Sequence, residues 1–264
     1  GGIIQINLLV DTIFASFLET GSPTWLYVSD RLIQFPMGIF AIAIGTVLLP
    51  TLSKFDLNHE KEKFVNGIRK GQKFVLYIGI PSMIGLFFCA EDLISTIFYR
   101  GAFSGIDVIN SSYSLIAFSF GLPFFMLMKV LTPAFFARKD TKTPMYVAGM
   151  SLFINAFLNF YLAFILDLGH IGIALGSSIA AIISVCVLEI ALYKNGFIQL
   201  RSIFNKFNFN IFISSIFLIT FLYFYTSEIN FLKLTQFERV FYLLIEVIAS
   251  ILICLLYTSD AADE

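Results

Sequence analysis

The chain has 264 residues, a net charge of −1 and a hydrophobic fraction of 58%, and only 13% of its residues are charged. Soluble domains are about 45–50% apolar and about 25% charged, so this composition excludes an ordinary soluble protein and indicates an integral membrane protein. The small net charge gives no reason to expect nucleic acid as a partner. Cys89, Cys186 and Cys254 lie in separate apolar segments without metal-ligand spacing, which predicts buried side chains.

Apolar segments of about 20 residues, the length that a helix needs to cross a bilayer, recur along the chain. Two of them, 1–18 and 240–257, each contain one acidic residue, Asp11 and Glu246. The sequence therefore predicts an all-α polytopic membrane protein with about eight transmembrane helices. The segments without Asp, Glu, Lys or Arg are 32–53, 74–90, 108–128, 143–166, 168–188 and 207–227.

The distribution of Lys and Arg predicts the orientation of these helices. If the loop after the first segment lies outside, the inside loops hold twelve basic residues and the outside loops hold three. Because basic residues concentrate in cytoplasmic loops, both ends of this set of helices are expected to face the cytoplasm. Inside loops are expected near 54–73 and 137–143. The first is interpreted either as an interfacial amphipathic helix, with Phe64 and Ile68 on one face, or as a solvated connector.

The second segment carries two charges where the bilayer disfavours them, at a cost of roughly 2.5–3.5 kcal/mol each. Helical spacing places Tyr27, Arg31 and Gln34 on one polar face, whereas Asp30 points away from Arg31 and is interpreted as a contact to a neighbouring helix. A guanidinium stays ionised and its planar fork matches phosphate, so Arg31 is a candidate for binding an anionic cargo. A structural ion pair is the alternative. Lys129 is either a second anion contact or a side chain that reaches the interface.

A second group of polar residues is rich in oxygen. Asp11 lies in the first segment, Asn155 and Asn159 share one face of a later segment, and Ser177 lies in the segment after that. A carboxylate, two amides and a hydroxyl would suit Na⁺ or a proton relay. Hydrogen bonding between helices by the same groups is the alternative.

Catalytic chemistry has few candidate residues in this sequence. The two histidines, His59 and His170, are both expected to be solvated in loops, and no nucleophile–base set, metal cluster or phosphate-binding loop is recognisable. We therefore expect no enzymatic activity and no cofactor, with Na⁺ or H⁺ as the only candidate coupling ions.

Three segments together resemble the MurJ/MviN family of lipid II flippases. They are SDRLIQFPMGIFAIAIGTVLLPTLS at 29–53, FYRGAFSGID at 98–107 and FFARKDTKTPM at 135–145. Arg31 matches the arginine of the family's Asp-Arg-Leu motif, Ser29 stands where the motif often has Ala, and Gln34 stands where some members have Glu. The residues that match the two loop motifs are Arg100, Gly101, Arg138, Asp140, Thr143 and Pro144.

The resemblance implies a transporter with two six-helix lobes and two additional helices. It would move lipid II, a peptidoglycan precursor linked to undecaprenyl pyrophosphate, across the bacterial inner membrane by alternating access. Residues 1–200 would form the second lobe and 201–257 the additional helices. Apart from the resemblance, the acidic and Ala-rich residues 258–264 are expected to be a non-native or disordered tail. Arg31 would line a central cationic cavity. The missing first lobe of the same protein, lipid II and membrane lipid would be the partners.

Related functions stay open at this point. The nearest alternatives are a polysaccharide-lipid flippase and a cation-coupled drug exporter of the same transporter superfamily. A drug exporter for cationic compounds should prefer acidic side chains over Arg31. An enzyme acting on prenyl phosphates would need acidic or histidine clusters in a loop. A membrane scaffold would leave Arg31 without a role.

Overall fold

The computed structural model describes residues 2–55, 59–197 and 206–258, and within these ranges every regular element is a helix. The predicted all-α membrane fold is therefore confirmed. Residues 259–264, nearly all of the predicted tail, and the predicted boundary at residue 200 lie outside the described ranges. The helices are α1 (Gly2–Ser16), α2 (Ser22–Pro36), α3 (Ile42–Ser53), α4 (Lys61–Phe88), α5 (Ala90–Phe98), α6 (Gly105–Ser119), α7 (Leu122–Ala137), α8 (Lys142–Phe160), α9 (Gly169–Lys194), α10 (Lys206–Glu228) and α11 (Gln236–Thr258).

Several of these helices are long and apolar enough to cross a membrane. In the described residues four qualify by themselves, and α6 with α7, bent by 44°, makes a fifth if the pair is one span. The apolar parts of α1 and α10, Ile6–Ser16 and Ile211–Thr226, are shorter. The total of eight spans stays a prediction. The four long helices are Ser22–Ser53, Lys61–Phe88, Lys142–Ile165 and Gly169–Lys194.

Two widened helical turns interrupt the long helices. Met37–Ala41 forms a π-helical turn between α2 and α3, directly after Pro36, which has no backbone N–H to donate. Tyr161–Ile165 forms a second π-helical turn after α8. Single turns of this type are common at functional sites. Each of them follows within three residues of a polar residue of a candidate site, Gln34 or Asn159.

α4 begins at Lys61, so most of the predicted inside loop 54–73 is helical and continuous with the span that follows. Phe64 and Ile68 are fully buried, at 0% exposure, and Phe64 contacts Phe197 with ring centroids 5.5 Å apart. Both interpretations of this loop, an interfacial helix and a solvated connector, are therefore wrong for its described part. The apolar stripe packs against the protein core rather than against lipid headgroups.

α7 and α9 lie at the centre of the bundle. α7 packs against α3, α4 and α9, and α9 also packs against α6 and α8. Met126 and Val130 of α7 and Ala174 of α9 are fully buried in this core. Large apolar side chains of the peripheral helices point outward instead, such as Phe153 and Phe157 of α8. Such a surface is suited to contact with lipid.

α10 and α11 pack against each other, against the C-terminal part of α4 and against α5. There Leu218 and Leu222 of α10 form a separate small apolar cluster with Ile84 of α4. The Gln236 side-chain amide at the start of α11 donates to the Thr96 carbonyl oxygen at 2.8 Å. The C-terminal helix pair is thus attached to α4 and α5, away from the central helices α7 and α9.

Candidate functional site

The polar face predicted on α2 is present in the structure. The Arg31 guanidinium lies over the Tyr27 ring, with Cζ 4.7 Å from the ring centroid, and Nη1 donates to Gln34 Oε1 at 3.4 Å. All three side chains are exposed on the described part of the chain. Within that part no other hydrogen bond occupies the guanidinium. Arg31 can therefore offer most of its N–H donors to an anion.

Asp30 makes its hydrogen bond within α2, and it also interacts electrostatically with Asp11 of α1. Its interpretation as a contact to a neighbouring helix stays a prediction. The Gln34 side-chain amide donates to Asp30 Oδ2, while its carbonyl oxygen accepts from Arg31. Gln34 stands one helical turn after both residues, and this spacing lets one amide bridge the two charges. Asp30 thus partly balances the charge of Arg31 through Gln34 while the guanidinium stays exposed.

The opposite face of α2 determines where Arg31 points. Trp25, Ser29 and Ile33 are buried. The Trp25 indole N–H donates to the Asp107 carboxylate at 2.8 Å, and Ser29 Oγ lies 2.6 Å from the Ser111 carbonyl oxygen. Ser29, the first residue of the family motif, thus bonds α2 to α6. Because these contacts fix the rotation of α2, Arg31 is held on the open side.

The four oxygen-bearing residues from three different segments meet in one polar cluster. Asn159 Nδ2 donates to Asp11 Oδ1 at 2.6 Å and to Asn155 Oδ1 at 3.2 Å. Asn155 Nδ2 donates to Ser177 Oγ at 2.9 Å, and that hydroxyl lies 3.4 Å from Asp11 Oδ2. The structure therefore brings together Asp11 of α1, Asn155 and Asn159 of α8, and Ser177 of α9, a set we call the Asp11 cluster.

One acceptor in the Asp11 cluster lacks a donor. Asn155 and Asn159 are buried, and Asn159 Oδ1 has no hydrogen-bond partner among the described residues. The cluster offers one carboxylate and otherwise neutral oxygens, the donors that suit a hard cation. No group of three or more His, Cys, Asp or Glu side chains in the described part of the chain could hold a metal ion. The donor set therefore fits Na⁺ or a proton better than a transition metal.

Close packing of α9 on α8 gives the Asp11 cluster its shape. A Cβ at position 176 would lie 2.5 Å from Asn159 Oδ1, and a Cβ at position 172 would lie 2.7 Å from the Ala163 nitrogen. Gly172 and Gly176, four residues apart, thus let the two helices approach as small residues do in membrane bundles. A side chain at position 176 would displace Asn159.

Lys129 lies on α7, which packs against α3 and against the π-helical turn that follows α2. It is half-buried on α7, and its backbone oxygen closely approaches Gly45 of α3, 2.9 Å from where a Cβ would stand. No contact between Lys129 and Arg31 is present among the described residues. The two roles considered for Lys129, an anion contact and an interfacial side chain, therefore both stay predictions.

The loop motif at 138–144 builds the turn between α7 and α8. The Thr143 backbone N–H and hydroxyl donate to Asp140 at 3.0 and 2.7 Å, and these bonds hold the pKa of Asp140 below its usual value. Pro144 follows in the first turn of α8, where its missing N–H removes no helical hydrogen bond. Asp140 therefore caps the start of α8.

Arg138 of the same motif packs against aromatic rings. Its Cζ lies 3.8 Å from the Phe197 ring centroid and 5.9 Å from that of Phe135. Burial lowers the pKa of Arg138 from its ordinary value. In this structure Arg138 ties the α7–α8 turn to the end of α9.

The loop motif at 100–107 likewise builds a turn. Gly101 has a φ of 62°, a conformation that other residues rarely adopt. Ser104 and Asp107 then form a reciprocal capping box at the start of α6, with the Ser104 N–H donating to Asp107 at 2.8 Å. Arg100 is exposed beside this turn.

His170 is not a solvated loop residue, contrary to expectation. It is half-buried, its Nδ1 lies 2.7 Å from Ser114 Oγ, and its ring contacts Trp25 with centroids 4.8 Å apart. The reason is that α9 starts at Gly169, one residue earlier, so the turn packs against α2 and α6. No sequence signal links these residues, because their partners are 56 or more residues away.

These features define a polytopic helical membrane protein that carries a cationic face and a buried oxygen cluster on apolar helices, an arrangement typical of transporters. The chain belongs to the family described as lipid II flippase MurJ, whose model matches residues 1–252. The predicted family is therefore confirmed.

Relatives of the chain carry the same description. A probable lipid II flippase MurJ of Vibrio cholerae is 42% identical over 194 residues, covering 74% of this chain and 37% of the relative. A probable lipid II flippase MurJ of Haemophilus influenzae is 37% identical over 248 residues, covering 91% of this chain and 48% of the relative. The chain thus spans about half or less of the length of these curated relatives.

Solved structures share the fold. A lipid II flippase MurJ in an inward closed conformation superposes with a TM-score of 0.78 at 28% identity, covering 98% of this chain and 52% of that one. A transporter of the MOP superfamily from Pyrococcus furiosus gives a TM-score of 0.64 at 14% identity, covering 97% and 60%. The second likeness shows the fold alone.

Proposed function

We propose that this chain is the second half of a flippase that moves lipid II across the bacterial inner membrane by alternating access. Since the chain spans about half of its relatives, the transport activity belongs to the longer protein, in which a first lobe completes the cavity. No step of this activity makes or breaks a covalent bond, so we do not expect enzymatic catalysis.

The observation that carries this proposal is the exposed Arg31 on a membrane-spanning helix. Exposing a guanidinium to acyl chains is costly, so this side requires water or a charged ligand. The pyrophosphate of lipid II is an anion that suits the planar fork of Arg31, and Tyr27 and Gln34 orient that fork. An inside-negative potential favours outward movement of an anion by about 2.3 kcal/mol per charge per 100 mV.

Replacement of Arg31 tests the cargo site. The full-length Arg31→Ala variant should insert in the membrane but should fail to support growth of cells depleted of their own lipid II flippase. Arg31→Lys should restore part of the activity, because it keeps the charge and loses the fork. Lys70→Ala, which removes an exposed basic side chain in the first half of α4, is the control. Normal growth with Arg31→Ala would refute the cargo site.

The identity of the cargo needs a direct assay. Purified protein in vesicles should translocate lipid II, and Arg31→Ala should prevent this. Transport of a polysaccharide-linked lipid without lipid II, or of a cationic drug, would favour the two related functions. We expect lipid II to be preferred because an arginine repels cationic drugs.

The Asp11 cluster is proposed as the coupling site, taking Na⁺ or H⁺. The unpartnered Asn159 Oδ1 and the Asp11 carboxylate supply oxygen for the ion, with Asn155 and Ser177 completing the set. A cation there would bind α1 to α8 and α9 and so bias their relative positions. The alternative is that these groups only bond the helices to one another.

The two roles of the Asp11 cluster can be separated by measuring transport against Na⁺ and pH. Asp11→Asn should remove the dependence of transport on whichever cation drives it and should keep Arg31-dependent binding of lipid II. Glu19→Gln, an exposed acid just after α1, is the control. An unchanged cation response in Asp11→Asn would leave the cluster a purely structural contact.

The membrane placement supports the same function. We propose that both ends of the set of helices face the cytoplasm, since twelve basic residues lie in the predicted inside loops and three in the outside loops. The apolar surface of α10 and α11 is proposed to guide the prenyl tail of the cargo. Cysteines at positions 70 and 233 test the orientation, because an impermeant thiol reagent added outside should label only position 233.

A further inference from the structure

The contact between α5 and α11 contains two buried acids, away from Arg31 and from the Asp11 cluster. Asp92 is 6% exposed and Glu246 is 0% exposed. The two carboxyl groups interact electrostatically, and the Cys89 thiol faces Glu246. The Cys89 thiol is a weak hydrogen-bond donor to Glu246, and no N–H or O–H donor among the described residues reaches either Glu246 oxygen or Asp92 Oδ2. Three buried carboxyl oxygens thus lack an N–H or O–H donor in the described part of the chain.

The polar groups nearest to this pair are already engaged. The Tyr225 hydroxyl of α10 donates to the Tyr242 carbonyl oxygen at 3.0 Å. Arg239 lies about two turns before Glu246 on α11. Its guanidinium Nε donates to the Phe231 carbonyl oxygen at 2.7 Å, so it is directed toward the start of the helix. No salt bridge to either acid is found in the described residues.

The other surroundings are apolar or acidic. Ile84, Leu218 and Leu222 form the buried cluster around the contact, with Cys254 at its edge. Glu91, next to Asp92, is exposed and adds a further negative charge. Two buried carboxylates without a cation are strongly disfavoured in such surroundings. The pair therefore has to take up positive charge from outside the protein.

We propose that Asp92 and Glu246 form a proton-binding site, in which the two buried carboxyl groups share one proton and this proton keeps α11 attached to α5. Asp92 lies in the first turn of α5, where the helix N-terminus favours the ionised form. Glu246 lies about ten residues into α11 and has no such support. The facing Cys89 sulfur is a poor ligand for Na⁺, which favours a proton.

Loss of the proton has a structural consequence for the C-terminal helix pair. A second negative charge would then lie buried in the α5–α11 contact, and the simplest relief is separation of α11 from α5. The site thus makes the attachment of α10 and α11 to the other helices dependent on pH. It does not depend on the identity of the cargo.

Infrared difference spectroscopy on the full-length protein in nanodiscs tests the proton directly. At neutral pH the spectrum should contain a protonated carboxyl band that vanishes at alkaline pH, is absent in Glu246→Gln and is kept in Asp11→Asn. Glu91→Gln, the same change on an exposed neighbour, should keep the band. In Asp92→Asn the band should disappear at a lower pH than in the wild type, because Glu246 then ionises without a charged neighbour. A spectrum that Glu246→Gln leaves unchanged, or a Glu246-dependent band that responds to Na⁺ at constant pH, would overturn the proposal.

The attachment is tested by a distance measurement. Spin labels at the exposed positions 97 on α5 and 237 on α11 should give one short distance at neutral pH and an added longer distance at alkaline pH. In Glu246→Gln the short distance should persist at both pH values. A wild-type distance that does not change with pH, or a variant that changes like the wild type, would contradict the proposal. Neither experiment uses transport, so their outcome is independent of the flippase assignment.

Discussion

The polar face of α2 and the Asp11 cluster place similar chemical groups in opposite settings. On α2 one amide bridges two charges within a single helix, and the arginine stays exposed. In the Asp11 cluster the amides bridge three helices, and both asparagines are buried. The first arrangement leaves hydrogen-bonding capacity for an external anion. The second uses most of its capacity to join helices and leaves one oxygen, Asn159 Oδ1, available for a small cation.

The difference predicts that the two regions fail in different ways. Substitutions in the Asp11 cluster should reduce stability, because they leave buried polar groups without partners. Substitutions on the exposed face of α2 should reduce transport and leave stability nearly unchanged.

The largest stability loss is expected for Asn159→Leu. The change removes the amide that donates to Asp11 and leaves that carboxylate with one donor fewer, which should cost about 2–3 kcal/mol. Thermal unfolding of the full-length protein in nanodiscs measures it. Asn195→Leu, at the exposed end of α9, is the control and should have little effect. Equal losses in both variants would show that the Asp11 cluster contributes nothing special to stability.

Gly176→Ala should come next. The added methyl group would meet Asn159 Oδ1 and has to push α9 from α8, at a cost of about 1–3 kcal/mol. Gly149→Ala in α8 is the matched control, since a Cβ there meets nothing within 4 Å. The control should be neutral or more stable, because alanine favours the helix. If Gly176→Ala behaves like the control, α8 and α9 pack less closely than described.

Asp140→Ala tests a motif residue that belongs to neither region. Loss of this helix cap should cost about 1 kcal/mol at neutral pH. Because the folded-state pKa of Asp140 is lowered, its contribution is complete above the unfolded value of about 3.9 and disappears as the pH falls through the folded value. Unfolding curves at several pH values should therefore converge for wild type and variant at strongly acidic pH. A constant difference at every pH would exclude the charged cap.

Arg31→Ala should change stability least, by less than about 0.5 kcal/mol, since its contacts with Tyr27 and Gln34 are exposed. Unfolding of the variant, compared with its transport activity, separates the two effects. A stability loss like that of Asn159→Leu would mean that Arg31 is a structural residue, and the contrast between the two regions would fail.

Much of the candidate site follows from spacing along single helices. Residues three and four apart share a face, so the contacts of Arg31 with Tyr27 and Gln34 were predictable from the sequence. The same spacing explains the pairing of Asn155 with Asn159. The bridge that Gln34 makes between Asp30 and Arg31, one turn before it, was not predicted.

The sequence by itself determined the membrane class, the helical architecture and the family, because apolar length, charge placement and local motifs are properties of short segments. It also showed the polar face of α2, which one helix creates alone. The tertiary structure decided which helices meet. Only it could bury Phe64 and Ile68 against the core, join Asp11 to Asn159 across 148 positions, and place Glu246 beside Asp92. Contacts between distant segments depend on how whole helix faces pack, and no short stretch of sequence records that.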